Sequence, residues 1–465
     1  MRALRPSPAL SPRGWPRLRS RGSVLIVALL LMVILALGLT TYLNVNLSSA
    51  RFAQRSHRQN AAFHLAEAGA EEALWSFNRA AQRSSEAWSG WSVFSPAARR
   101  RFAGFDLGGN TRGSVQVHVN SIAGDALRPT VVALASVESP GSTPVTKMLE
   151  VTLARRSRFA AGLMAKDAVS FAGNNASVDS WNSDPDNNPA TAPVPYSAEA
   201  RNDRGSVAST SVQNTAMLVN QANVYGYVAT GGAAPQVGVN GSITGKNTPA
   251  GVTVDPARVT TDFTADFPAL TAPVDGTILA SIGATLGTAG AATKWRCSNI
   301  KLTGSDTLTI LGDVTLVLTA GSGADAISVT GNASIIIPAG SSLTVYSEGD
   351  FKVAGKGVGN SNVNPATCRI YGVSASLSGQ LVHVAGNGAL VAVVYAPNAE
   401  VKINGNSDVM GAIVGRTITL VGNAAFHYDE ALAAENDGMP FGIVRWREIN
   451  REAERRARQD KFSGW

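Results

Sequence analysis

Val24–Leu43 reads VLIVALLLMVILALGLTTYL, twenty residues without a charge, and no charged side chain occurs between Arg21 and Arg51. As a helix rising 1.5 Å per residue, this run crosses the ~30 Å hydrocarbon core of a bilayer, with Val24, Leu31 and Leu39 inside it. Arg2, Arg5, Arg13, Arg17, Arg19 and Arg21 precede it, and the first acidic residue is Glu67. That asymmetry predicts a cytoplasmic N-terminus, with everything after about Leu43 outside the cytoplasm. A cleaved secretory signal shares the basic start, but this run is long enough to span and no small-x-small site closes it. No proline occurs between Pro16 and Pro96, and Ser48 to Ala80 is rich in Ala, Glu, Arg, Gln and Leu. One continuous helix is therefore predicted from about Ser23 to about Ala80. In its second half Ala62, Ala66, Ala70, Ala73 and Phe77 recur at three- and four-residue steps. They form a narrow small-residue stripe for a neighbouring helix or for the chain's own sheet to cover.

Outward from this helix the composition turns toward β structure. The 465 residues are 45% hydrophobic but only 16% charged and 6% aromatic, with 46 glycines, the balance of a turn-rich β protein with small side chains. After the aromatic residues Trp88, Trp91 and Phe94, period-two stretches begin at Ser114, Thr130 and Thr146, enough for a small sheet packed on the helix. Arg155, Arg156 and Arg158 mark a boundary. The segment Asp184–Ala292 is expected to carry strands around Val207 and Val224, interrupted by long loops that a compact domain needs a reason to tolerate. Beyond Ser298, apolar pairs at Ile327/Val329, Ile335/Ile337, Leu343/Val345 and Phe351/Val353 each start eight residues after the last. Gly-Asn pairs at 331, 359, 386, 405 and 422 punctuate the pattern. Short strands with inward pairs, joined by turns able to adopt positive φ, stack as a β-solenoid of the parallel β-helix kind. The last spacings, nineteen and seventeen residues, suit a coil of two short sides; an immunoglobulin-like sandwich is the alternative. The expected fold is mainly β with one long N-terminal α-helix. Its divisions are a basic leader (1–22), the helix (23–83), a small α+β region (84–157), the solenoid with a loop-rich first half (158–430) and a charged tail (431–465), in which Ile443–Phe462 is expected to form a solvated helix.

The order of basic leader, Arg21-Gly22-Ser23, apolar helix and then ARFAQRSHRQNAAFHLAEAGAEEAL resembles the type IV prepilin class, and within it the PilX N-terminal family of minor pilus assembly proteins. The resemblance covers about the first eighty residues and makes 84–157 the pilin-like region. It implies cleavage by a prepilin peptidase after Gly22, methylation of Ser23, an inner-membrane position and other pilin-like subunits as partners. Major pilins carry a glutamate five residues after the cut; Val27 stands there, the departure seen in minor subunits. Val393–Leu432 resembles the β-helical domain often fused to PilX-type N-termini. The function so implied is that of a minor pilin or pseudopilin-like subunit in pilus assembly, displaying a non-catalytic β domain at the cell surface or in the periplasm. The alternative is a membrane-tethered β-helix that binds or cleaves carbohydrate.

Motifs for other chemistry are wanting. His57, His64, His118, His383 and His427 are scattered without ligand spacing. Asp184, Asp186, Asn187 and Asn188 are oxygen-rich, but the Gly and distal Glu of an EF-hand are missing, so a polar turn is expected and no metal. Asp306, Asp313, Asp325, Asp350 and Asp408 stand apart, although stacking is able to gather carboxylates on one face. No cofactor motif occurs, and catalysis is not expected. The formal charge of +7 sits at the two ends without a basic stripe on the body, so nucleic acid is not an expected partner. Cys297 and Cys368 either pair or are two buried thiols; their spacing does not decide which.

Overall fold

The computed structural model describes residues 23–81, 84–122, 128–155, 157–173, 175–186, 188, 190–376, 379–385, 389–435 and 439–463. It is mainly β with one long N-terminal helix, and it forms two compact units. One runs to Leu153 and resumes at Ile443; the other is Ala154–Gly442. The second unit is thus an insertion within the first.

In the first unit a single helix, α1, runs Ser23–Ala81, about 88 Å at 1.5 Å per residue. The predicted stripe is its docking face. Ala62, Ala66, Ala70, Ala73 and Phe77 are all buried, joined by Leu65 and Ser76. They lie on a sheet of β1 (Ser92–Phe94), β2 (Ala97–Asp106), β3 (Arg112–Val119), β4 (Thr130–Glu138), β5 (Val145–Arg155) and a C-terminal strand, Phe441–Glu448, in that order. The ladders from β1 to β5 are antiparallel. Small residues are needed because the helix sits close: a Cβ on Gly69 would lie 2.8 Å from methyls of both Val115 and Val117. Trp88 and Trp91 stack edge-on at the helix end beside Phe77, and the Trp91 indole donates to Ser76 Oγ at 3.1 Å.

The solvated helix expected in the charged tail is met in part: a helix forms with none of its residues buried, but Phe441–Glu448 ahead of it is a strand of the sheet. Residues 431–442 belong to the inserted unit, and the remainder completes the sheet and adds a short helix, α2 (Glu452–Gln459). The tail's charges are used in docking: Arg447 and Arg458 both grip Glu150, at 2.8 and 2.5 Å, and Lys147 pairs with Glu448. Burial alone would raise the Glu150 carboxyl, but hydrogen bonds from Arg458 and Arg447 outweigh it and hold it below its ordinary value. Ile449 and Phe462 fill a pocket with Val132 and Met148.

The inserted unit is one large sheet whose ladders between named strands all run parallel, which excludes the antiparallel sandwich. The eight-residue step is one face. Ile327/Val329, Ile335/Ile337 and Leu343/Val345 lie on three successive faces, and the fourth pair returns to the first, with Ile327 against Phe351 and Val329 against Val353. A circuit here is therefore twenty-four residues, the difference between 327 and 351. The seventeen-residue circuits also have three faces, not the expected two. They are shorter because all three faces share one strand, as in Asp408–Gly422, with a bend at Gly411 (φ 135°). Inward Val, Ile and Leu fill the interior. One corner is a column of left-handed residues, Gly304, Gly331, Gly355, Gly405 and Gly422, with φ between 61° and 89°, where a side chain would be strained.

The stack is not wound in chain order. The first rung (163–181) lies in the middle, and the chain winds from it through 205–230 to Val259–Thr260 at one end. A strap then carries it back along the stack. Phe263 N donates to Thr230 O, the Tyr395 hydroxyl donates to Pro268 O at 2.8 Å, and Arg296 donates to Val274 O at 2.7 Å. Phe263, Phe267 and Leu270 pack on the core as it passes. From Thr277–Ile278 the chain rewinds, and its last rung (408–429) closes on the first. The strands expected around Val207 and Val224 are Gly205–Ser209 and Asn223–Thr230, both rungs of the stack, and the return path is confined to the stretch from 263 to 276. Replacing Gly69 by Leu should overpack the interface between α1 and β3 and destabilise the first unit by about 1–3 kcal/mol. A lowered denaturant midpoint in the fluorescence of Trp88 and Trp91 reads it.

Candidate functional site

Two regions merit a functional reading: the bare half of α1, and a polar cluster where the stack closes on itself. Gly22 lies outside the described residues, and Ser23 is the first residue of the helix. Val24, Leu31 and Leu39 are 69%, 54% and 60% exposed. The apolar residues from Val24 to Leu47 have no cover from their own chain, and α1 is long and apolar enough to cross a membrane. Beyond them, Arg51, Arg55 and Arg58 return the helix to water-soluble composition.

The other predicted positions resolve without a ligand site. Cys297 and Cys368 are buried free thiols. Cys297 pairs with Leu318, Leu318 with Ser347 and Ser347 with Gly372, on the strand that holds Cys368. Three rung spacings separate them, about 14 Å at 4.7–4.9 Å each, so no disulfide joins them. Burial pushes the Cys368 thiol up to about 12. Asp184 and Asp186 accept from the Asn188 backbone, and Asp186 also accepts from Thr191; these bonds make the expected polar turn, with Asn187 outside the described residues. Stacking brings Asp325 and Asp350 together on Lys352, at 2.6 and 3.1 Å. Asp306 is tied into its own turn and Asp313 to Ser342. Among the described residues no group of three His, Cys, Asp or Glu is placed to hold a metal ion.

The cluster that sequence reading missed is centred on His427. On the strand Ala425–Asp429, this residue is 6% exposed. Its Nδ1 hydrogen-bonds Asp179 Oδ1 at 2.5 Å. Its Nε2 lies 2.9 Å from Asp408 Oδ1, a charge contact outside hydrogen-bond alignment. Tyr196, from the loop after Trp181, stacks on the imidazole at 3.7 Å and donates its hydroxyl to Asp179 Oδ2 at 2.9 Å. Arg201 holds the same oxygen at 2.8 Å and lies over the ring of Tyr225. Asp408 and Asp179 are thus balanced by Arg201 and a protonated His427.

Burial pulls the imidazole down, but the hydrogen bond to Asp179 and the close carboxylates of Asp179 and Asp408 win and push it up to about 9. Burial, with Asp179 beside it, also raises the Tyr196 phenol. With both ring nitrogens against carboxylates and a proton on each, His427 has no lone pair for general-base chemistry. It does have a structural consequence. His427 and Asp408 come from the end of the inserted unit and Asp179 from its start, so the cluster bridges rungs that are far apart in sequence. No local signal marks it.

The sign of the pH dependence follows. The folded value near 9 exceeds the unfolded 6.5, so this contribution is complete below about pH 6.5 and is lost as pH rises through about 9. It is on the order of 3 kcal/mol at most. Denaturant midpoints of the inserted unit should fall between pH 7 and pH 10 in the native chain. His427→Gln should start lower at pH 7 and lose most of that slope.

With this geometry in place, comparisons add the following. A family model described as a domain of unknown function, DUF7305, matches residues 294–435. No curated protein matches the chain. Among solved structures, the chain is similar to the competence-associated pilin ComZ from Thermus thermophilus, at 12% identity and a TM-score of 0.30, over 84% of this chain and 97% of that one. It is also similar to the DUF3494 domain of ice-binding protein 1 from Shewanella frigidimarina, at 13% identity and a TM-score of 0.24, over 58% and 94% of the two chains.

Proposed function

We propose that this chain is a minor pilin or pseudopilin-like subunit, held in the inner membrane by α1 until partner helices cover that helix, and carrying its inserted unit outside the cytoplasm. The observation that carries the reading is the division of one unbroken helix. Its second half is docked by small side chains on a compact antiparallel sheet, and its first half is apolar and bare. A helix that served only as an anchor would not need to continue as the spine of a folded unit. Six arginines before the apolar run and none of opposite charge support an N-terminus in the cytoplasm. Leaving the bilayer uncovered would cost tens of kcal/mol at ~25 cal/mol per Å² for some twenty apolar residues. Release therefore requires other apolar helices, which makes pilin-like subunits of the PilX kind the expected partners.

The inserted unit is, on this reading, a β-solenoid that presents a surface and performs no reaction. Support comes from where the carboxylates lie. A glycan-cleaving β-helix needs a working pair gathered on one face, but Asp325 and Asp350 share Lys352, Asp313 bonds Ser342 and Asp408 faces His427.

Processing tests the subunit reading. A prepilin peptidase is expected to cut after Gly22 and leave Ser23 as the N-terminus. Gly22→Leu should leave the leader attached, seen as a heavier intact mass, with pilin-like subunits no longer co-purifying. A Gly22→Leu chain with the same N-terminus as the native protein removes the processing assignment.

A further inference from the structure

A stack wound in chain order rests each rung on its predecessor by covalent continuity. One joint here lacks that help, where 413–420 lies on 163–171 and Ala425–Asp429 on Ser177–Trp181. The two halves on either side of it are linked by the strap, which leaves the stack at Val259–Thr260 and rejoins it at Thr277–Ile278, at opposite ends.

The strap's length matches the path beneath it. On the face it covers, the register runs from Arg296 through Tyr346, Tyr395, Val414 and Met164 to Ala229 in eight rung steps. That path is about 38 Å long at 4.7–4.9 Å per step. Phe263 N donates to the carbonyl of Thr230, the residue after Ala229, and Arg296 donates to the carbonyl of Val274. Eleven residue steps separate these two anchors, and a chain drawn out fully reaches only about 36–40 Å over that number. The strap therefore carries no slack. Residues 262–273 contain no helix or turn, and Pro268 and Pro273 bias the residues before them toward extended backbone.

Its grip falls on both sides of the joint. The Lys166 ammonium, on the first rung, lies 5.6 Å from the centre of the Phe267 ring, and the Tyr395 hydroxyl, on the far side, donates to Pro268 O at 2.8 Å. Consecutive strap residues are thus held by opposite halves. For the joint to part by one further rung spacing, a strap already at full reach has to give up an anchor at Phe263, Pro268 or Val274.

We propose that the strap is a tie rod, drawn to full extension between the two ends of the stack, whose lack of slack holds the joint between the first and last rungs shut.

The test gives the tie slack and reads the joint. Four residues, Gly-Ser-Gly-Ser, are inserted between Phe267 and Pro268 of the full-length chain, which is then purified in detergent. Amide hydrogen exchange is followed by mass spectrometry in peptides covering 163–171 and 413–420, and in 343–347 and 368–372, a rung pair joined by continuous chain. The joint peptides should exchange about fivefold faster, the factor for one anchoring hydrogen bond that no longer has to break. The inner pair should not change. The same insertion after Ala250, in an exposed turn away from the strap, should leave both pairs as they are. Unchanged exchange at the joint in the lengthened strap overturns the proposal, as does an equal rise in the inner pair or an equal effect of the Ala250 insertion. Should the lengthened chain fail to accumulate, Arg296→Ala, which frees the strap as far as Thr277, takes its place with the same readings.

Discussion

Every backbone N–H and C=O of a parallel rung must find the rung beside it, and this constraint governs the inserted unit. A parallel strand buried on one side has no tight turn with which to satisfy itself; the chain has to travel a full circuit to supply the partner. Circuits of seventeen to about thirty residues meet the need where the chain is continuous. At the middle of the stack they do not, and residues 248 positions apart in sequence, such as Asp179 and His427, supply the pairing instead. The strap is the price of that arrangement. Residues 263–276 form no rung, yet their Phe263, Phe267 and Leu270 cover apolar side chains that a bare outer face would leave wet.

The same winding explains how a unit of nearly three hundred residues interrupts a six-stranded sheet. Because the first and last rungs are neighbours, the ends of the insertion emerge from one place in the stack. A stack wound from end to end would separate its termini by its whole length. Chain ends that lie together make an insertion tolerable. The C-terminal strand Phe441–Glu448 is thereby returned to the sheet, where Arg447 and Arg458 find Glu150.

How much of this was legible depended on sequence distance. The helix from Ser23 and its docking stripe were readable to within a residue, since spacings of three and four state a helical face whatever packs on it. The eight-residue step was equally real, though it measured a face where seventeen or twenty-four measures a circuit. What period alone does not supply is the order of stacking. The strap at 263–276 has no periodicity and reads as loop, and His427 reads as scattered because Asp179 lies 248 residues away. The tail was legible in part, since its helix forms with no residue buried, but the seven basic and four acidic side chains from Arg445 to Lys461 do not disclose that Glu150 meets two of them.

The two halves of α1 carry the same lesson into function. From Val24 to Leu39 the helix is apolar around its whole circumference, the composition of a span, because lipid or other helices meet it on every side. From Ala62 to Phe77 it is apolar on one stripe, because a single sheet meets it. A uniformly apolar half can be covered by several partners at once, whereas a stripe accepts one. The change of pattern along one unbroken helix thus separates the portion the chain completes by itself from the portion that another molecule or a membrane has to complete. That boundary falls near Arg51, where the first charge after the leader appears.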